Sequence, residues 1–578
     1  MNELDKKRHS LAHLLAAAVQ DLYPDAKITL GPAVDNGFYY DIDFVEAISD
    51  SDLKGIQKKM KKIANTWTNF EAKEVSPQEA RDFFLGNQYK EELINEIEAK
   101  GETITLYTSG DFTDLCRGGH VENFKDITMD AWKLERVAGA YWRGDEKNPM
   151  LTRIYGLAFD TKEELLTYQQ QQEEAKKRDH RKIGKELGLF TFSEKVGPGL
   201  PLFTPKGTLI RNLIVEKITS IQSEYGYQQV CIPHITKSDL YKTSGHWDKY
   251  KDDLFHVKGK SDAEFVMKPM NCPHHTQIYD AEPRSYRDLP LRYAETTMVY
   301  RDEQAGELMG LSRVRSISQD DGHIFCTEEQ IKQEVNNIVA IIKEFYTAMN
   351  MFNEGNYWVS LSVRDSQDLG KYIGDHDLWE KAESILEEIA QENKLNYKRV
   401  EGEAAFYGPK LDFQFKDAIG REWQLGTAQL DFVQPTRFEL TYTDNEGNKK
   451  TPVMIHRAIA GSLERFMSLA IEHFEGYFPL WLAPTQIAII PIKEDIHGEY
   501  AQEVYKQFKQ QGLRVELWDE DHEGFGKKVR RAKNAKIPYW IIIGDEEMNE
   551  KTITVESKDQ QQKGISFESF IKSIKGDL

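Results

Sequence analysis

The chain of 578 residues is poor in cysteine, with only Cys116, Cys231, Cys272 and Cys326. Four cysteines in so long a chain build no disulfide framework. A reducing cytoplasm is the expected home, and any important cysteine is a metal ligand or a nucleophile. No run of about 18 consecutive apolar residues occurs, so no transmembrane helix and no membrane association are expected. The opening MNELDKKR is polar and lacks the apolar stretch of a secretory signal. Positive charge is in deficit: 75 Lys and Arg against 95 Asp and Glu give a net charge of −20. Non-specific binding of nucleic acid over the whole surface is therefore disfavoured, whereas binding at a local basic cluster is not. No internal repeat of solenoid period is found. What is present is 40% apolar and 11% aromatic residues, too much for a disordered chain. At roughly 100–200 residues per domain, the length suggests about three to five domains.

The pattern divides into an α+β segment at 1–155, a linker at 156–190, a large segment at 191–482 and a C-terminal segment at 483–578. Residues 9–22 carry apolar side chains at helical spacing, with Pro24 just beyond, and a Gly/Pro/Asn turn precedes the strand-like 38–44. Residues 161–187 read as one charged, solvated helix, without Gly or Pro until Gly184. GPGLPLFTPKG at 197–207 opens the large segment. A helix is expected at 209–225, and strands at 291–301, 404–415 and 421–432, joined by turns, predict an antiparallel sheet. Beyond Pro484, strands at 486–492, 513–518, 538–544 and 552–557 and helices at about 497–511 and 526–536 predict a small α/β unit.

Several side chains stand out. His9 and His13 lie at i, i+4 on one helix face, and DLCRGGH adds Cys116 and His120. Four such donors suit a zinc ion; the other reading is two partly buried helix histidines. The Glu of an HExxH protease motif is missing. Cys272, His323 and His456 lack a spaced metal motif; as zinc ligands they would leave open coordination positions, the mark of a working metal. Arg301 ends an apolar strand and Arg465 opens a helix; an arginine fork grips phosphate bidentately, although surface ion pairs are the commoner use. Residues 527–536 hold six basic residues, Lys527, Lys528, Arg530, Arg531, Lys533 and Lys536, and no acid, just after Asp519, Glu520, Asp521 and Glu523. Such a block suits phosphates or a solvated helix face.

Taken in order, RHSLAHLL, GPAVDNGFYYDID, DLCRGGH, AGAYWRGD, KTSGHWDKYKDDLF, MKPMNCPHH, SRVRSISQDDGHIFCTEEQI, AFYGPKLDF, LGTAQLDF and PVMIHRAIAGSLERF resemble the threonyl-tRNA synthetase family of class II aminoacyl-tRNA synthetases, over essentially the whole chain. The resemblance implies an N-terminal α+β editing domain, a class II catalytic domain on an antiparallel sheet and a C-terminal α/β anticodon-binding domain. It implies a homodimer, with Pro233 of GYQQVCIPHI at the interface, and threonine, ATP and tRNA(Thr) as partners. Arg301, Glu303, Arg313 and Arg465 match the residues around ATP, which would bring Mg²⁺. Cys272, His323 and His456 match the ligands of one zinc ion per subunit. Gln319, Asp321, Tyr407, Lys410 and Gln429 match the residues around threonine and the reacting atoms. His9, His13, Cys116, His120, Tyr40, Lys90 and Asp114 match a hydrolytic editing site that the family runs without metal.

The sequence also departs from the family. A small domain that usually precedes the histidine pair is expected to be missing. CRGGH has Gly119 where proline is usual. NCPHH has His274 where glycine is usual, which places another imidazole near the metal. AKNAKIP lacks the usual arginine pair before the proline. Basic patches at 176–185 and 526–536 are the expected places for tRNA. Three other readings remain: a different class II specificity, such as serine or proline; an RNA-binding regulator on the same scaffold; and an N-terminal zinc hydrolase joined to an unrelated partner.

Overall fold

A computed structural model describes residues 2–577 except 146, 261, 418, 419, 521 and 522. Asp521 of the acidic run thus lies outside the described residues. The chain forms two units, Met1–Glu173 and Glu174–Leu578.

The first unit begins with α1 (Glu3–Leu22), whose start is set by Asn2, which accepts a hydrogen bond from the Asp5 amide at 2.7 Å. The helix begins one and a half turns before the apolar stripe that predicts it. Its Leu11, Leu14, Leu15 and Val19 are buried against β1 (Gly37–Asp43) and α2 (Leu53–Ala64). Next come β2 (Glu71–Val75), α3 (Gln88–Ala99), β3 (Ile104–Ser109), β4 (Phe112–Leu115), β5 (Trp132–Tyr141) and β6 (Met150–Ala158). Lys27–Ile28, β1, β6 and β5 form one antiparallel sheet, and β2, β3 and β4 a second. Gly37 is required where β1 meets β6: a Cβ there would sit 1.9 Å from the Gly156 carbonyl oxygen.

The single helix expected at 161–187 is two. α4 (Lys162–Arg178) buries only Leu165, as a solvated helix should. The chain then breaks at Asp179, which caps α5 (His180–Glu186) by accepting from the Arg181 amide at 2.8 Å. The break turns His180 inward, where Nδ1 meets Glu472 at 2.7 Å and Nε2 accepts from the Leu311 amide at 3.1 Å.

The second unit is built on an eight-stranded sheet. In chain order its parts are α6 (Pro205–Glu224), α7 (Cys272–Asp280), β7 (Leu291–Tyr300), β8 (Ser316–Cys326), α8 (Ile331–Ala348), β9 (Tyr357–Val363), α9 (His376–Glu392), β10 (Tyr397–Glu401), β11 (Lys410–Lys416), β12 (Glu422–Asp431), β13 (Val453–Ser462) and α10 (Leu463–His473). The strand order is Gln228–Gln229, β7, β8, β13, β12, β11, β9, β10. The middle is antiparallel, as expected, and only the two outermost pairings are parallel. β11 begins at Lys410 rather than at 404, because Gly408 packs on the Leu430 carbonyl and Pro409 has no amide to donate. Ile210, Ile214 and Ile218 of α6 and Ile338, Ile342 and Phe345 of α8 belong to the large buried core that the sheet shares, leaving the polar residues of β8, β11, β12 and β13 to form a site.

The last segment comprises β14 (Ile487–Pro491), α11 (Glu494–Gln510), β15 (Val515–Leu517), α12 (Phe525–Asn534), β16 (Tyr539–Ile543), β17 (Ile553–Glu556), β18 (Gln561–Ile565) and α13 (Phe567–Ile574). Its strand order is β15, β14, β16, β17, β18. The first three are parallel, and β17 and β18 run antiparallel, so the α/β unit carries a mixed sheet.

Candidate active sites

Strand alternation puts Gln319, Asp321 and His323 on one face of β8. Pairing then carries that face across the sheet: His323 lies opposite His456 of β13, His456 opposite Gln429 of β12, and Gln429 opposite Lys410 of β11. Four predicted residues thus form one cross-strand row. Tyr407 joins it by donating to Gln429 Oε1 at 3.2 Å, and Lys410 is held by Asp412. Asp321 is part-buried, and desolvation raises its carboxyl pKa. Asn271 Nδ2 donates to one of its oxygens at 3.0 Å and the Gly322 amide to the other at 2.9 Å.

One end of the row is a donor cluster. Cys272 Sγ, His323 and His456 offer ligand atoms within 4.8 Å of one another. His323 Nε2 and His456 Nδ1 are 3.0 Å apart, and His456 Nε2 meets Asp431 at 2.7 Å. Burial pushes the Cys272 thiol up and the His323 imidazole down. A buried thiol beside two imidazoles backed by a carboxylate is the donor set of a zinc site with its outer partner in place, so the residues fit the metal that the family implies. The extra imidazole at this cluster is His275, whose Nδ1 is 2.8 Å from His323 Nδ1. His274 is not part of it; its ring lies beside Tyr241.

The sheet is deliberately irregular here. Asp320 faces Gly461 and Gly322 faces Arg457, so β13 carries two extra residues opposite Asp321. The bulge leaves amides without ladder partners. Asp320 takes them, accepting from Ile459 at 2.8 Å and Ala460 at 3.0 Å, while Arg457 donates to it at 2.7 Å. Sequence reasoning passed over both residues, because a charged pair in a strand pattern carries no sign of being fully buried. Arg457→Met should lower stability by about 3–5 kcal/mol, as expected when a buried ion pair loses one partner. Urea unfolding measures it, and a loss below about 1 kcal/mol would refute the pairing argument.

Three arginines face one another beyond the row. Arg465, on α10, donates to the Ser312 carbonyl at 3.1 Å. Burial first, and then Arg301 and Arg313, lower its pKa. Glu303 is engaged by Arg313 Nε at 2.8 Å, so it anchors that arginine rather than standing free for a cation. The Arg301 guanidinium is exposed, with no ion pair among the described residues. A set of converging guanidiniums balanced by few carboxylates is suited to a polyphosphate. His246 also lies here, its ring 6.4 Å from Phe406 and 6.3 Å from Tyr407, with burial lowering its pKa to about 4. It was not singled out in the sequence, where it is one more histidine.

The first unit holds the second cluster. His9 Nε2 is 3.1 Å from Cys116 Sγ, and His120 Nε2 is 3.4 Å from the same sulfur. His13, one turn along α1, stands edge-on to both imidazoles. Beneath them Asp114 accepts from Tyr40 at 2.5 Å, pairs with the buried Lys90 and lies 3.6 Å from His13 Nδ1. All seven predicted residues therefore meet, and five of them, His9, His13, Tyr40, Asp114 and Cys116, line a cavity of about 630 Å³. Burial drives the imidazoles neutral, His120 to about 2, and raises the Cys116 thiol to about 11.

The basic run is less uniform than its composition suggests. Lys528 is buried against Glu494. Arg531 stacks 3.8 Å over Trp518 and pairs with Glu523 at 2.6 Å. Lys527, Arg530 and Lys533 stay exposed along a cleft of about 850 Å³.

Comparison with known proteins settles the family. The models for the class II tRNA synthetase core domain (G, H, P, S and T), the anticodon binding domain and the threonyl and alanyl tRNA synthetase second additional domain match residues 255–474, 486–577 and 104–155. The threonine–tRNA ligase of Gloeobacter violaceus is 48% identical over 97% of this chain and 90% of its own length. The chain belongs to the threonine–tRNA ligase family. The ligase of Rubrobacter xylanophilus is 46% identical, covering 99% and 88%. Among solved structures, a putative threonyl-tRNA synthetase from Aeropyrum pernix matches with a TM-score of 0.61 and 31% identity, covering 67% of this chain and 91% of that one. A Giardia lamblia prolyl-tRNA synthetase, at 18% identity and TM-score 0.55, shares the fold. As a member of the family the chain is an aminoacyl-tRNA ligase, with tRNA, threonine and ATP as its partners and Mg²⁺ accompanying ATP.

Proposed function

We propose that the sheet site activates threonine with ATP and transfers it to tRNA(Thr), and that the cavity of the first unit hydrolyses seryl-tRNA(Thr). The observation that carries the first half is the in-register row from His323 to Lys410, which has a metal-ligand cluster at one end, with Arg313 and Arg465 displaced from it along the strands, before β8 and after β13. The threonine carboxylate attacks the α-phosphate in line and pyrophosphate leaves. The tRNA terminal hydroxyl then attacks the acyl carbonyl and AMP leaves. Arg301 takes the charge growing on the α-phosphate, Arg465 and Arg313 hold the outer phosphates, and Lys410 adds charge at the same oxygens. Asp321, fixed by Asn271 and Gly322, accepts from the threonine amino group, and Gln429 and Tyr407 close the side of the pocket.

Cys272, His323 and His456 would hold a zinc ion, which would supply Lewis acidity toward the polar groups of threonine. Valine lacks the hydroxyl, and an apolar pocket alone would reject such an isostere only about a hundredfold. Serine lacks one methyl, worth about 1–3 kcal/mol, so it is activated by mistake and needs a second, hydrolytic site. There His9, Cys116 and His120 place the ester and a water, above an Asp114–Lys90–Tyr40 base. The segment GYQQVCIPHI around Pro233 is the proposed dimer contact.

The deciding measurement is ATP–pyrophosphate exchange with threonine, serine, valine and proline. Threonine should be fastest, serine slower, and valine and proline at background. No exchange with threonine in folded, zinc-loaded protein would favour the RNA-binding regulator instead. For the cavity, a His9→Ala/His13→Ala variant should deacylate seryl-tRNA(Thr) at least about 100-fold more slowly than the wild type; equal rates would remove the assignment.

A further inference from the structure

Arg465, Ser468 and Glu472 stand at i, i+3 and i+7 along one face of α10, and all three are tied to one short turn in the loop between β7 and β8. The turn is closed by the Arg313 amide, which donates to the Met309 carbonyl at 3.3 Å. Arg465 Nε donates to the Ser312 carbonyl at 3.1 Å, and the Ser468 and Ser312 hydroxyls meet at 2.9 Å. Glu472 is joined to the turn through an imidazole. His180, the first residue of α5, accepts from the Leu311 amide at 3.1 Å with Nε2 and meets Glu472 at 2.7 Å with Nδ1. An amide N–H can only donate, so Nε2 is the unprotonated nitrogen, and Nδ1 carries the hydrogen given to the carboxylate. The His180 amide donates to the same Glu472 oxygen at 3.3 Å. His180, Glu472, Leu311, Ser312 and Ser468 are all buried. Asp179, His180 and Glu472 are grouped closely enough to suggest a cation, but both ring nitrogens already have partners, so the trio is not a metal site. Gly310 shows how closely α5 approaches the turn. Its φ is +51°, and a Cβ there would lie 2.4 Å from His180 Nε2 and 2.9 Å from Arg181 Cγ.

We infer that His180 is a positioning residue for nucleotide binding: it fixes the turn that leads into Arg313 against the helix that carries Arg465, and so sets the affinity for ATP while leaving that for threonine alone. The inference rests on the reading above that these two arginines hold the outer phosphates. Leu311, Ser312 and Arg313 are consecutive. Without His180, the Leu311 amide is a buried donor with no acceptor, and the turn must shift to find one. Ser312 moves with it and draws the Arg465 guanidinium along, while Arg313 is displaced on its other side. Glu303 orients the head of Arg313, but it is His180 that places the backbone from which that side chain springs. Two guanidiniums that must meet phosphate oxygens to within about 0.5 Å then lose their common spacing. The threonine end stands on other elements: β11, β12 and the bond from Asn271 to Asp321. Contacts to the outer phosphates are made in bound ATP and kept in the transition state, so their loss falls on KM for ATP more than on kcat. The bend at Asp179 thus delivers an imidazole from the linker into the framework of the ATP site.

The test is ATP–pyrophosphate exchange by the full-length, zinc-loaded chain, with ATP and threonine varied in turn. His180→Phe keeps a ring and removes both bonds. His180→Gln keeps an acceptor and a donor on one planar group. Gly310→Ala leaves the imidazole in place and wedges the turn away from it. Arg465→Ala reports on the phosphate reading itself. Circular dichroism and thermal melting check the folding of each; should His180→Phe not fold, Gly310→Ala and His180→Gln decide on the same criteria. The expected result is a KM for ATP raised about tenfold or more in His180→Phe and in Gly310→Ala, with KM for threonine within about twofold of wild type. His180→Gln should bring KM for ATP back to within about threefold of wild type. A merely structural histidine would lower the active fraction, and so kcat, and leave both KM values where they were. An unchanged KM for ATP in either folded variant, while Arg465→Ala raises it, overturns the inference. A rise shared equally with threonine overturns it too, as does a His180→Gln no better than His180→Phe. An unchanged KM for ATP in Arg465→Ala overturns the phosphate reading, and the positioning role with it.

Discussion

Replacing Arg301 with alanine should lower threonine-dependent ATP–pyrophosphate exchange by about a hundredfold or more. The residue directly follows β7, and its guanidinium is exposed, with no ion pair among the described residues. Arg313 is held by Glu303 and Arg465 by the Ser312 carbonyl. Of the three arginines, Arg301 therefore has the fewest partners to lose and is the one free to follow charge as it develops. Its removal takes away an interaction that strengthens in the transition state, so kcat should fall more than KM for ATP rises. Arg301→Lys should restore little, because an ammonium cannot bridge two phosphate oxygens as a planar fork does. A variant within about threefold of wild type would end this assignment.

Stripping metal from the Cys272 cluster should abolish exchange with threonine, and readdition of zinc should restore it. Without a cation, His323 Nε2 and His456 Nδ1 confront each other at 3.0 Å beside the Cys272 sulfur. Nothing is then left to distinguish a hydroxyl from a methyl. A Cys272→Ser variant should bind less than about a tenth of the zinc, since the thiolate supplies the soft ligand. Asp431→Asn should cost about 10–100-fold in metal affinity, through loss of the carboxylate behind His456. Metal content and exchange are measured on the same samples. Full activity in a sample shown to be zinc-free would exclude the metal from the reaction.

The two clusters were not equally legible in the sequence. His9 and His13 declare themselves because one helix turn puts both on one face, and Cys116 and His120 sit in one short loop. Cys272, His323 and His456 come from a helix start and two strands, and no spacing rule joins them. Only their likeness to a family did so, and the β8–β13 register supplies the physical reason. Alternation made the central-sheet strands at 291–301, 404–415 and 421–432 readable, β8, β9, β10 and β13 went unnamed, and Pro409 accounts for the one that begins late. The break at Asp179 left no trace, because it is imposed from outside by Glu472 and the Leu311 amide, which draw His180 inward. β18 was silent because its sequence, QQKGI, is an exposed edge with no apolar face. The basic run misled in part: composition reports charge, and Lys528 spends its charge on Glu494 inside the protein.

The two extra residues of β13 set a phase. Upstream of them is a strand that fixes His456 opposite His323; downstream is the helix that carries Arg465. Deleting two residues from Ala458–Ala460 would give a straighter ladder and free Asp320 of its duty. It would also slide α10 by about 7 Å relative to His456, two residues of strand rise. The amino-acid half and the nucleotide half of the site would each survive and would no longer share a substrate. In this sheet a geometric defect acts as the spacer that makes two binding surfaces into one reaction centre.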